Sequence, residues 1–226
     1  MRVLSFSKLT VALVIAIALN PDSGIAQKKE ISKIEDATNV LSDIQRMKDK
    51  IPDQLFEQSE GIIIIPKMLN AGLGIGGKRG KGIAIAKQAD GSWSDPSFIT
   101  LTGGSFGLQA GVQSVDLILF FKHSSNMLKI GKSNFTIGGD MSATAGPVGR
   151  SATAGTDFKL QSEIYSYSRS RGLFAGISLN GASLKIDKNA NEDFYHKKRE
   201  ASAILSNATP DLPVVDSLRN LLNHMR

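Results

Sequence analysis

Glycine divides the chain between residues 61 and 121 into short apolar runs, and this pattern restricts the possible folds more than any other feature. Short apolar runs bounded by turn-forming residues are typical of β-strands. Leu73 and Ile75 alternate with glycine, so one face of that strand is apolar and the other is bare. A bare face permits tight curvature or the close approach of another backbone. We therefore expect a strongly curved, largely antiparallel sheet or a partly closed barrel. The turn signals that predict its hairpins lie at 78–82, at Asp90-Gly91 and at Gly103-Gly104.

Helical periodicity flanks this region on both sides. Apolar residues at spacings of three and four predict an amphipathic helix from Lys28 to Lys50, which Pro52 interrupts. Its apolar stripe either packs on the core or lies in a membrane surface, where Lys28, Lys29 and Lys33 would meet head groups. Further helices are predicted at 53–59, 124–130, 191–206 and 213–225, and further strands at 158–167, 172–179 and 182–186, the last two joined through Asn180-Gly181. The predicted fold class is α+β, with N-terminal and C-terminal helices packed on the sheet.

The first 26 residues have the features of a secretory signal peptide. Arg2 and Lys8 precede an apolar run, 9–19, that is roughly half of the ~20 residues needed to cross a bilayer, so an uncleaved anchor is the weaker alternative. We expect cleavage after Ala26 and export to the periplasm or out of the cell. The remainder, 27–226, is expected to form one domain. Its parts are a helical segment at 27–60, a β-rich core at 61–188 and C-terminal helices at 189–226.

Charge and composition narrow the possible partners. The formal net charge is +6, which favours anionic partners such as phospholipid head groups or nucleic acid. Nucleic-acid binding would require aromatic side chains among the basic residues, and the basic segment from Lys67 to Lys87 has none. The chain has no cysteine, which excludes disulfides, thiolate metal sites and cysteine nucleophiles. The basic residues on or beside one predicted hairpin, which either hold lipid phosphates or belong to a solvated loop, are Lys67, Lys78, Arg79, Lys81 and Lys87.

Two glycine motifs resemble enzyme signatures but lack their context. GLGIGG at 72–77 fits a dinucleotide-binding pattern and nearly fits a phosphate-binding loop, yet an alternating apolar segment follows it instead of a helix. GGSFG at 103–107 fits the pattern of a hydrolase nucleophile, but Ser105 is also followed by a predicted strand. The three histidines are scattered, with no metal-ligand spacing. No catalytic centre, metal or cofactor is therefore expected.

Several segments occur in an order that resembles the SYLF domain family. A glycine-rich hairpin is followed by W-S-x-P, by G-x-Q-x-G before an acidic residue and an apolar strand, and then by G-P-x-G-R, Y-S-x-S-x-G-L-F-A-G and N-x-x-F-Y. This ordered set covers most of the chain after residue 26 and is far more specific than either enzyme-like motif. The motif residues to which the resemblance assigns structural roles are Trp93, Pro96, Gly107, Gly111, Gly146, Gly149, Gly172, Phe174, Gly176 and Tyr195.

The resemblance implies a binding domain. SYLF domains of eukaryotes are implicated in binding phosphoinositides and membranes, and those of yeast in actin-patch assembly. For an exported bacterial member the resemblance implies non-catalytic binding to anionic phospholipid or a membrane surface. An envelope scaffold that binds an acidic protein is the alternative. The expected head-group contacts are Lys78, Arg79 and Lys81, with Arg150, Arg169 and Arg171 as further cations. For Arg150 and Arg171 a structural ion pair is an equal alternative.

Overall fold

Two long antiparallel strands form the centre of the fold. The computed structural model describes residues 22–132, 135–147, 162–209 and 212–225. Strand β1 spans Gly61–Ala86 and β2 spans Ser97–Phe121, and the two pair along almost their whole length. The connection between them turns at Gly91, whose φ of 83° is in the region that favours glycine. This confirms the predicted turn at Asp90-Gly91.

The turns predicted at 78–82 and at Gly103-Gly104 are wrong, because both segments continue as strand. Lys78 pairs with Gly103, and Gly77 pairs with Gly104, in the middle of the β1–β2 ribbon. Glycine at these positions therefore does not reverse the chain. It leaves room for the ribbon to bend as a whole.

The bend brings the two ends of β1 together. A straight strand of 26 residues would span about 85 Å, yet the amide of Lys87 donates to the carbonyl of Glu60 over 2.8 Å. The two halves of β1 approach so closely that a Cβ atom on Gly82 would lie 2.0 Å from the carbonyl oxygen of Ile64. The glycines of β1 thus provide the close backbone approach that the alternating pattern predicted.

Within the described residues, five shorter strands complete a curled, mixed sheet of seven. They are β3 (Phe135–Thr136), β4 (Ala143–Ala145), β5 (Ile164–Ser170), β6 (Leu173–Phe174) and β7 (Ser183–Ile186). Along the edge of β2 that faces away from β1, residues 99–102 pair with β7 and residues 116–121 pair with β5. Only β4 and β5 are parallel among these described pairs. The sheet is a half-barrel, which confirms the predicted α+β fold class and its curved, largely antiparallel sheet.

Helices cover this sheet at both ends of the chain. They are α1 (Asp22–Gln45), α2 (Asp53–Gln58), α3 (Ser124–Lys132), α4 (Lys188–Tyr195), α5 (Ala201–Leu205) and α6 (Pro213–His224). The single helix predicted at 191–206 is in fact two, because His196 ends α4 in the left-handed conformation with φ of 52°. Within the described ranges, no helix has both the length and the apolar character needed to cross a membrane.

Two of the predicted strands are much shorter than expected. Segment 172–179 contributes only the two residues of β6, and the described part of 158–167 is strand only from Ile164. The hairpin predicted at Asn180-Gly181 is wrong, although Gly181 does turn with φ of 77°. The turn leads an extended segment into β7, and β7 pairs with β2 and β3 instead of with the preceding residues.

The sheet is buried on both faces. Ile62 and Ile64 pack under the helices with the α1 stripe, whereas Ile63 and Ile65 point into the curl. Successive strand residues face opposite sides, so an unbroken isoleucine run is what a doubly covered strand requires. The apolar residues of the α1 stripe from Ile34 to Ile44 are buried. Of the two alternatives for this stripe, the structure shows packing on the core.

Candidate functional site

An open groove of about 320 Å³ lies between α1 and the bent strand β1. The bend brings the two halves of β1 to the same place, and the register of the ribbon shifts between Ile65 and Met68. At this bulge Lys67 adopts a φ of 49°, and its amide donates to the carboxylate of Asp116 over 2.9 Å. The residues that line the groove are Lys33, Asp36, Pro66, Lys67, Leu69, Arg79, Gly80 and Lys81.

Three of the four cations in the groove are paired with carboxylates. The Lys67 Nζ lies 3.0 Å from Asp36 Oδ1, and the Lys81 Nζ lies 2.8 Å from Asp187 Oδ2. Lys33 is paired with Glu30 one turn earlier in α1. The groove therefore has cations held in place at its walls, most of them already neutralised.

Arg79 is the exception among these cations. Its side chain is exposed, and it has no hydrogen-bond or ion-pair partner within the part of the chain that the structure describes. A guanidinium group presents planar donors that match a phosphate oxygen pair. Arg79 can therefore bind an anion without first breaking an ion pair with a carboxylate of the described residues.

Asp187 has a second structural role beside its pairing with Lys81. Its side chain accepts a hydrogen bond from the amide of Ala190 and caps the N-terminus of α4. Burial raises the pKa of Asp187, but the hydrogen bonds from Lys81 and Ala190 and the charges of Lys81 and Lys33 outweigh burial and hold the pKa below its ordinary value. The carboxylate is therefore ionised at neutral pH and anchored by the backbone.

Lys78 does not belong to the groove, although it is next to Arg79 in sequence. Successive strand residues face opposite sides, and Lys78 points away from α1, where only 6% of its surface is exposed. It donates to the carbonyl of Ser178, and burial lowers its pKa. Of the three expected head-group contacts, the structure brings together Arg79 and Lys81 and places Lys78 elsewhere.

The secondary cations are distributed over the sheet. The Arg169 guanidinium binds Asp116 at 2.7 Å and Asp43 of α1 at 3.0 Å, which connects the sheet to that helix. Arg171 is exposed and has no ion pair within the described ranges. Arg150 and the motif residue Gly149 lie outside the described residues. The fixed pairing of Arg169 makes it part of the scaffold that supports the groove.

Two exposed apolar side chains continue the groove along the ribbon. Leu69 is 53% exposed and lines the groove, and Val112 is 75% exposed. Leu69 pairs with Ser114, two residues from Val112 on the neighbouring strand, so both lie on the same face of the ribbon. The same surface therefore carries both cations and exposed apolar groups. Neither Leu69 nor Val112 was predicted from the sequence, and nor were the roles of Asp36 and Asp187 in the groove. The predicted helix began at residue 191, so its position gave no signal for Asp187, which directly precedes α4.

Several motif residues form a clasp between the β1–β2 connection and the C-terminal helices. The Tyr195 hydroxyl donates to the carbonyl of Pro96 over 2.7 Å. The carbonyl of Trp93 accepts a hydrogen bond from Arg219 of α6 over 3.0 Å. Arg219 and Arg199 also bind the fully buried carboxylate of Asp95. The W-S-x-P and N-x-x-F-Y segments are distant in sequence but form one structural contact.

The remaining motif glycines have local roles at turns and contacts. A Cβ atom on Gly146 would lie 2.1 Å from the ring of Tyr167, whose hydroxyl donates to the carbonyl of Pro147. The Tyr167 ring also packs edge-on against Phe174. Gly172, with φ of 78°, turns β5 into β6. Gly111 has φ of 142°, Gly107 pairs with Gly74 in the ribbon, and Gly176 faces open space.

Neither enzyme-like motif has the geometry of the enzyme it resembles. Residues 72–77 lie within β1, and Ser105 lies within β2. A phosphate-binding loop and a nucleophile elbow both require a helix to begin at the motif. Both segments are strands that pair with one another, so they support neither activity.

Comparison with known proteins decides the family. Residues 102–225 match the family model described as Ysc84, Las17-binding protein actin regulator, and this match covers more than half of the chain. The protein belongs to the Ysc84 family. This confirms the resemblance to the SYLF family that the motif order predicted. The family description and the names of the relatives below refer to binding, regulation or domain content and not to a catalysed reaction.

Relatives within this family come from yeast and from animals. LAS seventeen-binding protein 3 of Saccharomyces cerevisiae is 33% identical over 175 residues, which are 76% of this chain and 38% of the yeast protein. SH3 domain-containing YSC84-like protein 1 of Homo sapiens is 30% identical over 198 residues, which are 87% of this chain and 57% of the human protein. The chain thus spans about half of the length, or less, of these curated relatives.

Proposed function

We propose that this domain binds the surface of an anionic phospholipid membrane without catalysing a reaction. The observation that carries the proposal is the exposed guanidinium of Arg79, which has no ion pair with any residue that the structure describes and lines the same groove as the exposed side chain of Leu69. A membrane surface offers phosphate to the arginine and an apolar layer to the leucine. Val112 extends the apolar part of this surface.

The charge of the whole molecule favours the same partner. A formal net charge of +6 attracts the chain to an anionic surface over a distance set by the salt concentration. The groove then supplies the local contact. Among the described residues, the groove has one cation without an ion pair, so the local electrostatic contribution is modest, on the order of 1 kcal/mol.

Vesicle co-sedimentation of the exported chain, residues 27–226, tests the proposal. We expect stronger binding to vesicles containing phosphatidylglycerol than to vesicles of phosphatidylcholine alone. Arg79→Ala should weaken binding to the anionic vesicles about fivefold, which is the contribution of one basic residue near such a surface. The loss should be larger at low salt.

Lys48→Ala is the matched control for this experiment. Lys48 is exposed beyond the end of α1 and is not among the residues that line the groove, but its removal changes the net charge equally. If both variants lose the same amount of binding, the groove has no special role. Equal binding of the unaltered chain to neutral and anionic vesicles would contradict the proposal itself.

An acidic protein partner at the same groove is the second candidate. The family description names a Las17-binding protein, and this favours a protein ligand. An acidic protein surface would also be complementary to Arg79. This candidate gains support if Arg79→Ala leaves vesicle binding unchanged but abolishes capture of an acidic protein that the unaltered chain retains.

Export is part of the proposal, because it decides which membrane the domain meets. Most of the signal peptide predicted at 1–26 lies outside the described residues, and α1 begins at Asp22. Cleavage after Ala26 would therefore remove the first residues of α1 and leave its buried stripe intact. N-terminal sequencing of the exported protein, expected to begin at Gln27, checks this position.

A further inference from the structure

The charges around the groove almost cancel. The groove-lining cations are Lys33, Lys67, Arg79 and Lys81. The carboxylates paired with the three lysines are Glu30, Asp36 and Asp187. Four positive groups against three negative groups leave one net positive charge, located at Arg79.

This balance persists when a ligand enters. A phosphate that draws Lys81 away from Asp187 leaves that carboxylate exposed to the ligand at short range. Asp187 has no freedom to withdraw, because it also caps α4 through the amide of Ala190. Glu30 is fixed for another reason, since it is a buried residue of α1. Asp36 is a residue of α1 and itself lines the groove. Each lysine therefore brings its carboxylate with it, and the groove keeps a surplus of one positive charge.

We infer that the groove binds one negative charge of a lipid head group, a phosphodiester such as that of phosphatidylglycerol, and that further phosphates on a head group add nothing to the binding. This inference rests on the proposed function. A phosphodiester monoanion matches the surplus charge of Arg79. A head group with further phosphates brings additional negative charge against Asp36 and Asp187, where like charges repel.

Vesicles matched for formal surface charge test this limit. One set contains phosphatidylglycerol and the other a phosphatidylinositol bisphosphate, both diluted in phosphatidylcholine. We expect the exported chain, residues 27–226, to bind the two sets equally, within about twofold, because the groove takes one negative charge from either head group and the mean surface potential is the same. Binding to the bisphosphate vesicles that is tighter by more than about twofold would overturn the inference, since one further cation in contact corresponds to about fivefold.

Asp187→Asn tests the same inference by adding charge to the groove. Asparagine caps a helix as well as aspartate does, so α4 should keep its N-cap while Lys81 loses its counter-ion. We expect binding to phosphatidylglycerol vesicles to rise about fivefold, the effect of one additional cation, and the preference for the bisphosphate lipid to appear. Asp36→Asn, which frees Lys67 at an exposed pair, is a second variant with the same expectation.

Asp49→Asn is the control for these variants. Asp49 is exposed beyond the end of α1, and its substitution changes the net charge equally. If Asp187→Asn and Asp36→Asn gain no more than Asp49→Asn, the paired carboxylates do not limit the groove and the inference fails. If the chain binds anionic vesicles more tightly than neutral ones, but binds the bisphosphate lipid more tightly than phosphatidylglycerol at equal surface charge, the inference fails and the proposed function stands. If the chain shows no preference for anionic vesicles, the proposed function fails first.

A soluble head group separates a lipid surface from free phosphodiester. Glycerophosphoglycerol carries the same phosphodiester as phosphatidylglycerol but has no acyl chains. We expect it not to displace the chain from vesicles at an equal phosphate concentration, because it offers nothing to Leu69 and Val112. Displacement at equal concentration would show recognition of the free head group and would overturn the assignment to a membrane lipid.

Discussion

At the scale of single residues, Asp95 is a buried carboxylate held by partners from the C-terminal segment. Its side chain is fully buried and accepts hydrogen bonds from Arg219 at 2.7 Å and from the Thr209 hydroxyl at 2.6 Å, while Arg199 lies 3.5 Å away. Removal of one partner from a buried ionic group leaves the remaining charges uncompensated. Asp95→Ala should therefore lower the free energy of unfolding by about 3–5 kcal/mol, measured by urea denaturation.

Asp49→Ala provides the comparison for Asp95. Asp49 is exposed beyond α1, so its substitution should change the free energy of unfolding by no more than about 0.5 kcal/mol. Equal effects of the two substitutions would show that the ionic contact does not hold the C-terminal helices on the sheet. The family pattern leaves this position of W-S-x-P open, so the motif alone did not single out Asp95.

At the scale of elements, the bend of the β1–β2 ribbon depends on the absence of side chains. A Cβ atom on Gly82 would lie 2.0 Å from the backbone oxygen of Ile64, which cannot move without separating the halves of β1. Gly82→Ala should thus destabilise the domain by about 1–3 kcal/mol, the usual cost of overpacking. Gly176→Ala is the matched control, because nothing lies within 4 Å of the added methyl group there. Urea denaturation of both variants measures the difference, and equal stabilities would show that the close approach is not needed for the bend.

The same ribbon shows how far elements could be predicted from sequence. Alternation and glycine spacing correctly indicated curved strands and a buried helical stripe, since these depend on local periodicity. The interpretation of 78–82 as a turn was wrong because a glycine that permits a turn also permits a close contact between distant strands. Only the packing of Gly82 on Ile64 distinguishes the two, and that contact is set by the tertiary fold.

At the scale of the whole molecule, the groove was only partly predictable. Arg79 and Lys81 were expected as a pair of exposed cations, and both line the groove. Lys78 was grouped with them on sequence proximity, whereas strand alternation buries it on the opposite face. The partner of Lys81 is 106 residues away, and no local pattern connects it with Asp187. The net charge of the groove, on which its proposed ligand depends, is therefore a property of the folded chain.

The closure of the whole sheet should also depend on pH through Glu60. Its backbone joins the two ends of the ribbon, and its carboxylate accepts hydrogen bonds from the amide and hydroxyl of Ser124 at the start of α3, at 2.8 Å and 3.1 Å. The hydrogen bond from the Ser124 amide is the main reason that the pKa of Glu60 lies below its ordinary value.

A carboxyl with a lower pKa in the folded chain binds fewer protons there than in the unfolded chain. Its stabilising contribution is complete above its unfolded pKa, about 4.3, and is lost as the pH falls through the folded pKa. The urea concentration at the unfolding midpoint should therefore decrease at pH values below about 4.5. Glu60→Gln should make this decrease smaller, whereas Glu57→Gln, at an exposed position of α2, should not. If the urea midpoint of Glu60→Gln decreased with falling pH as steeply as that of the unaltered chain, the hydrogen bonds between Glu60 and Ser124 would contribute nothing to the closure.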